Sequence, residues 1–174
     1  MKYDDFEATN KQQIKDHINK NHTLYLWGNY GCGKTHLLKF IQSRFSSKNT
    51  IYRMTSELHR ELISEIQFNK STGTQCQSIV SKMCDCDVLL IDDIGNEHMS
   101  EFVHEALSVV INTRYFEHNK DNPRPMRTIF TSNYNPRELH NLWSEKIGKG
   151  KSLQLVSRLK SFGVIEMKGK NWRA

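Results

Sequence analysis

Eight consecutive residues, Gly28-Asn29-Tyr30-Gly31-Cys32-Gly33-Lys34-Thr35, fit the pattern GxxxxGK[ST] in full. Glycines in such a run let successive backbone N–H groups turn inward around phosphate oxygens. Lys34 supplies a cation to the β- and γ-phosphates of ATP, and the Thr35 hydroxyl is a ligand for Mg2+. The nucleotide-binding stretch is taken to run through His36. Further on, VLLIDD ends in Asp92 and Asp93. A carboxylate at Asp92 reaches the magnesium shell through water, and Asp93 is placed to polarise an attacking water. Because aspartate is one methylene shorter than the glutamate common at such positions, slow hydrolysis is expected. Thr131, Ser132 and Asn133 end another apolar run, and Asn133 is a candidate to orient the water or feel the γ-phosphate. A turn-capping role before Pro136 stands beside that one. Arg158, in SRLK, is a candidate to reach a nucleotide held by a neighbouring subunit, with a solvated or phosphate-contacting arginine as the alternative. Arg114 and Arg173 are weaker candidates for that task, read as helix-face and tail charges.

These residues need elements to hold them. HTLYLWG at 22–28 reads as a buried strand feeding directly into the glycine loop. Leu37, Leu38, Phe40, Ile41 and Phe45 recur at helical spacing behind Lys34, so the order is strand, loop, helix. A short helix is expected over Gln12 to Asn19. TIYRMTS at 50–56 predicts a second strand, and Ser56 an N-cap for a helix carrying Leu58, Leu62, Ile63 and Ile66 that NKSTGTQ interrupts. Ile79, Val80 and Met83 mark another helix. DVLLID is apolar without alternation, as a strand covered on both faces would be. Ser100 starts an amphipathic helix with Phe102, Val103, Leu107, Val110, Ile111 and Tyr115 in step. After the DNPRP break come a strand (RTIFTSN), a helix opening on proline (PRELHNLW), a helix (LQLVSRL) and a last strand (GVIEMKG). Strands alternating with helices predict an α/β fold with a parallel sheet covered on both faces. No repeat or linker divides residues 1–174, and 1–20 lead into the core of one domain.

Charge is distributed unevenly: residues 1–119 hold 13 Lys/Arg against 15 Asp/Glu, and residues 120–174 hold 12 against 4. The basic block favours a polyanion such as nucleic acid over a merely solvated face. Arg124, Arg127, Lys146, Lys149 and Lys151 are the candidate phosphate contacts, with GKGK read as a flexible basic loop. Phe68, Tyr134 and Trp143 are considered as base-stacking residues, Trp143 being assigned to the core instead. Cysteines 32, 76, 84 and 86 lack paired CxxC spacing and read as reduced thiols, and the eight histidines show no metal spacing. Apolar runs such as 88–91 are too short to span a bilayer, so no membrane partner and a cytoplasmic location are expected.

With these motifs in place, the chain resembles the ATPase domain of bacterial replicative helicase loaders, the DnaC/DnaI group of the AAA+ class. The likeness is most specific in VLLIDDIGNEHMS, RTIFTSNYNPREL and SRLKSFGVIEMKGKNWR, and is nearest to DnaI-type loaders. It implies a three-layer AAA+ core whose five-stranded parallel sheet runs 5-1-4-3-2, with no separate helical lid. It also implies ATP bound between self-assembling subunits and contact with single-stranded DNA. By position, Asp92 becomes the magnesium-linked acid, Asp93 the water-polarising acid, Asn133 the sensor and Arg158 the arginine finger. Such loaders also carry two aspartates here. They normally possess a further N-terminal domain that grips the helicase, whereas about twenty residues precede the first strand here. The resemblance implies a replicative helicase as protein partner, and the departure makes action beside another protein or on a host loader the alternative expectation. Adenine is left to the core and to Tyr3 or Phe6, for which packing is the competing role.

A factor that helps place a replicative helicase on single-stranded DNA is the leading expectation. A nucleotide-gated adaptor on duplex DNA, such as a transposition helper ATPase, is the second. A small-molecule kinase shares the loop and the size, but TSN and SRLK fit oligomeric ATPases better.

Overall fold

A computed structural model describes residues 10–21, 23–72, 78–97, 100–118 and 126–169. Within them the chain runs α1 (Lys11–Asn21), β1 (Thr23–Trp27), α2 (Lys34–Arg44), β2 (Thr50–Met54), α3 (Thr55–Thr72), α4 (Ile79–Asp85), β3 (Val88–Ile94), α5 (Glu101–His118), β4 (Arg127–Ser132), α6 (Pro136–Ile147), α7 (Lys149–Ser161) and β5 (Val164–Glu166). The strands form one parallel sheet in the order β2-β3-β4-β1-β5, the order expected from the resemblance.

Both faces of the sheet are covered, which is why its strands lack polar alternation. On one face Leu24, Leu26, Val88, Leu90 and Ile129 pack with Ile14 and Ile18 of α1 and Leu37, Leu38 and Ile41 of α2. On the other, Tyr25, Leu89, Ile91 and Phe130 meet α3 through α7, with Trp143 of α6 wholly buried as expected. Apart from Arg158 on α7, the nucleotide-loop and catalytic candidates follow the ends of β1, β3 and β4. That carboxyl edge is the place where open parallel sheets collect ligands.

Several boundaries depart from the sequence reading. Ser56 is not an N-cap, because α3 starts at Thr55 directly after β2. The Thr55 hydroxyl donates to the carbonyl of Asp93 at 2.7 Å, which turns the chain at that point. Polar residues 69–72 continue α3 rather than break it, and Ser71 donates back to Phe68 O at 2.9 Å. GKGK is not a loop: Gly148, at φ 85°, makes the bend, and Lys149 to Lys151 form the first turn of α7. Ser100 does cap α5, accepting from Val103 N at 3.3 Å. Cys32, Cys84 and Cys86 are free and buried, and no described helix is long and apolar enough to cross a membrane.

Arg114 is the largest correction, since it is neither a helix-face charge nor near the nucleotide loop. It is 1% exposed, and its guanidinium donates to Cys86 O at 2.6 Å, Cys84 O at 3.2 Å, Arg127 O at 2.6 Å and Thr128 Oγ1 at 2.8 Å. It thus joins the C-terminal carbonyls of α4, the negative end of that helix, to the start of β4. Burial pulls its pKa down, and none of these bonds is to a carboxylate. Replacing Arg114 by Met leaves several buried carbonyls without donors, at about 1–3 kcal/mol apiece. Urea unfolding of Arg114→Met is expected to show a loss of about 3 kcal/mol or more; a loss under about 1 kcal/mol contradicts this role.

Candidate active site

Between β1 and α2 the chain makes a loop that only glycine permits at two places, Gly31 at φ 80° and Gly33 at φ 97°. Gly28 is needed for a different reason: a Cβ there would lie 2.5 Å from the carbonyl oxygen of Met167. Lys34 is buried at the loop's centre and donates to Gly28 O at 2.6 Å and Asn29 O at 2.9 Å. Its ammonium is therefore held inside the curl of the loop. Cys32 Sγ packs 3.6 Å from the same nitrogen. No side chain caps the start of α2, whereas α4 and α6 are capped by Ser78 and Asn135. First-turn N–H groups left uncapped, the positive end of a helix and a lysine are thus brought together at the glycine loop. Thr35 lies partly buried in that turn, with His36 exposed beyond it and Asn29 and Tyr30 exposed on the loop. This donor set fits nucleotide phosphates.

Across the sheet edge, β3 and β4 fall out of step. Ile91 pairs with Phe130 and Ile94 with Ser132, so Asp92 and Asp93 together oppose the single residue Thr131. The extra residue is a bulge, and it re-aims side chains that would otherwise point to opposite faces. Asp93 takes up the geometry with φ 67°, a left-handed conformation that costs about 1 kcal/mol for a non-glycine residue. Thr131 closes the bulge through one hydroxyl, which donates to Asp92 Oδ1 and accepts the Asp93 N–H at 3.1 Å.

Each acid has a distinct environment. Asp92 is 1% exposed, and its second oxygen accepts the Tyr52 hydroxyl at 2.8 Å. Burial first, then that contact with Asp92, pushes the Tyr52 phenol up. Asp93 is more open, with Oδ1 accepting Asn133 Nδ2 and Oδ2 accepting Asn96 Nδ2, both at 2.6 Å. A carboxylate gripped from both sides yet partly exposed can orient and deprotonate water. Asn133 is bonded to the acid rather than to the turn. Capping before Pro136 is done by Asn135, whose side chain accepts from Arg137 N and Glu138 N while Glu138 caps in return.

Other candidates scatter. Arg158 lies on α7, half-buried, and donates through Nη1 to Asn112 Oδ1 of α5. Arg127 donates to Ile18 O at 2.5 Å and lies over Phe45, at the opposite end of the sheet from the acids. Lys146 and Lys149 are exposed, Lys151 pairs with Glu101 at 3.4 Å, and Phe68 is exposed on α3. Tyr134 lies against Gly95; burial, then the neighbouring Tyr30, push its phenol up. Arg124, Arg173, Tyr3 and Phe6 lie outside the described residues. Sequence reading missed Tyr52, Asn96 and Glu97, whose contacts span strands or cross the bulge and follow no periodic signal.

The family description "Bacterial DnaA ATPase domain" matches residues 4–151. The chromosomal replication initiator protein DnaA of Mycoplasma capricolum subsp. capricolum is 29% identical over 121 residues, 67% of this chain and 25% of that protein. The replicative helicase loader DnaI of Bacillus subtilis is 30% identical over 161 residues, 88% of this chain and 48% of that protein. The chain therefore spans at most about half of either relative. Among solved structures, replication initiator DnaA bound to AMPPCP and single-stranded DNA overlays with a TM-score of 0.69 at 18% identity, covering 97% of this chain and 50% of that one. The chain belongs to the bacterial DnaA ATPase domain family, with an AAA+ core of the kind found in the DnaC/DnaI helicase loaders.

Proposed function

We propose that this chain binds ATP with Mg2+ and hydrolyses it, assembling through the ATP site on single-stranded DNA to help place a replicative helicase. The observation that carries the proposal is the bulge that sets Asp92 and Asp93 side by side opposite Thr131, with Asn133 on the second acid. Asp93 takes a proton from water held with the help of Asn133, and Lys34 with the first turn of α2 meets the charge that develops on the phosphates. Thr35 and Asp92 would hold magnesium, which when bound neutralises charge between the phosphates. Tyr52 and Thr131 keep the Asp92 oxygens oriented meanwhile.

Support for the assembly and DNA parts is of a different kind. Kinship with DnaI, and a DnaA neighbour bound to AMPPCP and single-stranded DNA, favour those partners and a cytoplasmic setting. Lys146, Lys149 and Lys151 form an exposed basic run at the junction of α6 and α7, suited to phosphate. Arg158 is assigned the finger role, exchanging Asn112 for a neighbour's nucleotide.

ATP turnover across a protein-concentration series, with and without single-stranded DNA, tests the whole. DNA and rising concentration are expected to raise specific activity, and Lys34→Ala and Arg158→Ala to abolish the gain. If turnover depends on Lys34 but not on Arg158, concentration or DNA, the assembly and loader parts fall. Preference for duplex DNA instead points to the adaptor. A second measurement isolates chemistry: Asp93→Asn is expected to lower kcat about a hundredfold while ATP affinity stays within about twofold. Unchanged kcat removes Asp93 from the mechanism.

A further inference from the structure

Glu97 is an acid that the proposed chemistry does not use, yet it is 2% exposed. Oε2 accepts the Gly95 N–H at 2.7 Å, and Oε1 accepts the Trp143 indole N–H at 2.5 Å. Burying a carboxylate is costly unless such donors fix it, so its placement is tightly determined. Gly95 lies two residues beyond Asp93 and has φ 104°, with a Tyr134 carbon 2.5 Å from where its Cβ would be. Trp143 is on α6, the helix that follows Asn133. The Asp93–Asn133 hydrogen bond thus has its two sides rooted in one buried carboxylate, the acid's loop through Gly95 and the amide's helix through Trp143.

Further bonds make this a closed circuit. Ser132 Oγ donates to Ile94 O at 2.6 Å, and accepts from Tyr134 N at 3.0 Å. Tyr25 donates its hydroxyl to Tyr134 O at 2.8 Å. The surroundings of Asp93 are therefore pinned along with its carboxylate, and Glu97 is a buried charged member of that frame.

We propose that Glu97 is a positioning residue for Asp93: by holding Gly95 and Trp143 together it keeps the strained bulge and the Asn133 amide in register for water attack. The inference rests on the reading of Asp93 as the water-polarising acid. Glutamine at 97 keeps the size but presents an NH2 group to one of two N–H donors, so one contact becomes donor against donor. A shift of about 1 Å at a catalytic acid is enough to cost orders of magnitude in rate.

The test is a double-mutant cycle on the ATPase, reading kcat and nucleotide affinity for wild type, Glu97→Gln, Asp93→Asn and the pair. Glu97→Gln is expected to lower kcat about tenfold or more, with affinity within about twofold of wild type, and to add nothing once Asp93 is Asn. A merely structural residue would lower both constants, or add its full factor in the Asp93→Asn background; either result overturns the proposal, as does unchanged kcat. If Asp93→Asn itself is fully active, the mechanism fails and the inference with it. If only Glu97→Gln is active, the inference alone fails. Should Glu97→Gln not fold, Glu97→Gln/Trp143→Phe replaces it, because without the indole donor the glutamine oxygen is free to take the Gly95 N–H. That pair is expected to turn over within about threefold of Trp143→Phe; a slower or unfolded pair overturns the proposal.

Discussion

One hydroxyl, that of Thr131, bridges the two acids on which the proposed chemistry rests. It donates a hydrogen bond to Asp92 and accepts one from the Asp93 N–H, an arrangement in which two residues of β3 oppose one of β4. An unbulged strand would send consecutive side chains to opposite faces. With the bulge, one acid turns into the sheet toward Tyr52 and the other turns out toward Asn133 and water. The left-handed backbone at Asp93 is the local cost, and the surrounding bonds from Thr55, Asn96 and Thr131 are what hold it there.

That arrangement needs a rigid sheet edge beneath it, and two buried polar side chains provide much of the rigidity. Arg114 fastens α4 to the start of β4 at the far end of the sheet, and Glu97 fastens the loop after β3 to α6 at the near end. Both are charged groups buried against hydrogen-bond partners without a direct salt bridge to an opposite charge among those bonds. Each fixes one arrangement of the elements it joins, because losing it leaves its buried partners without a hydrogen bond. The glycine loop faces this frame with its own internal bracing, Lys34 tied to the carbonyls of Gly28 and Asn29.

Much of this was legible in the chain because the signals were local. Gly28 to Thr35, the apolar VLLI run and the proline opening α6 each state their structure within a few residues, and the parallel α/β architecture follows from their order. The strand order came from family resemblance rather than from periodicity. What escaped were contacts between distant positions. Arg114 looked like a helix-face charge because its partners, the carbonyls at 84, 86 and 127, are backbone atoms that leave no mark on side-chain patterning. Asn133 and Asn135 both suit a cap, and only the fold shows Asn135 capping while Asn133 turns to the acid. The bulge was invisible because IDDI reads equally well as a regular strand end.

Thr131→Val addresses the central claim most directly, since it keeps the shape of the side chain and removes only the hydroxyl that joins the acids. Nucleotide affinity and ATP turnover should be measured on the same preparation. Affinity within about threefold of wild type with kcat reduced about tenfold or more is the expected result. Wild-type kcat in a folded Thr131→Val protein would contradict the account, because the acid pair would then be aligned without the bridge assigned to it.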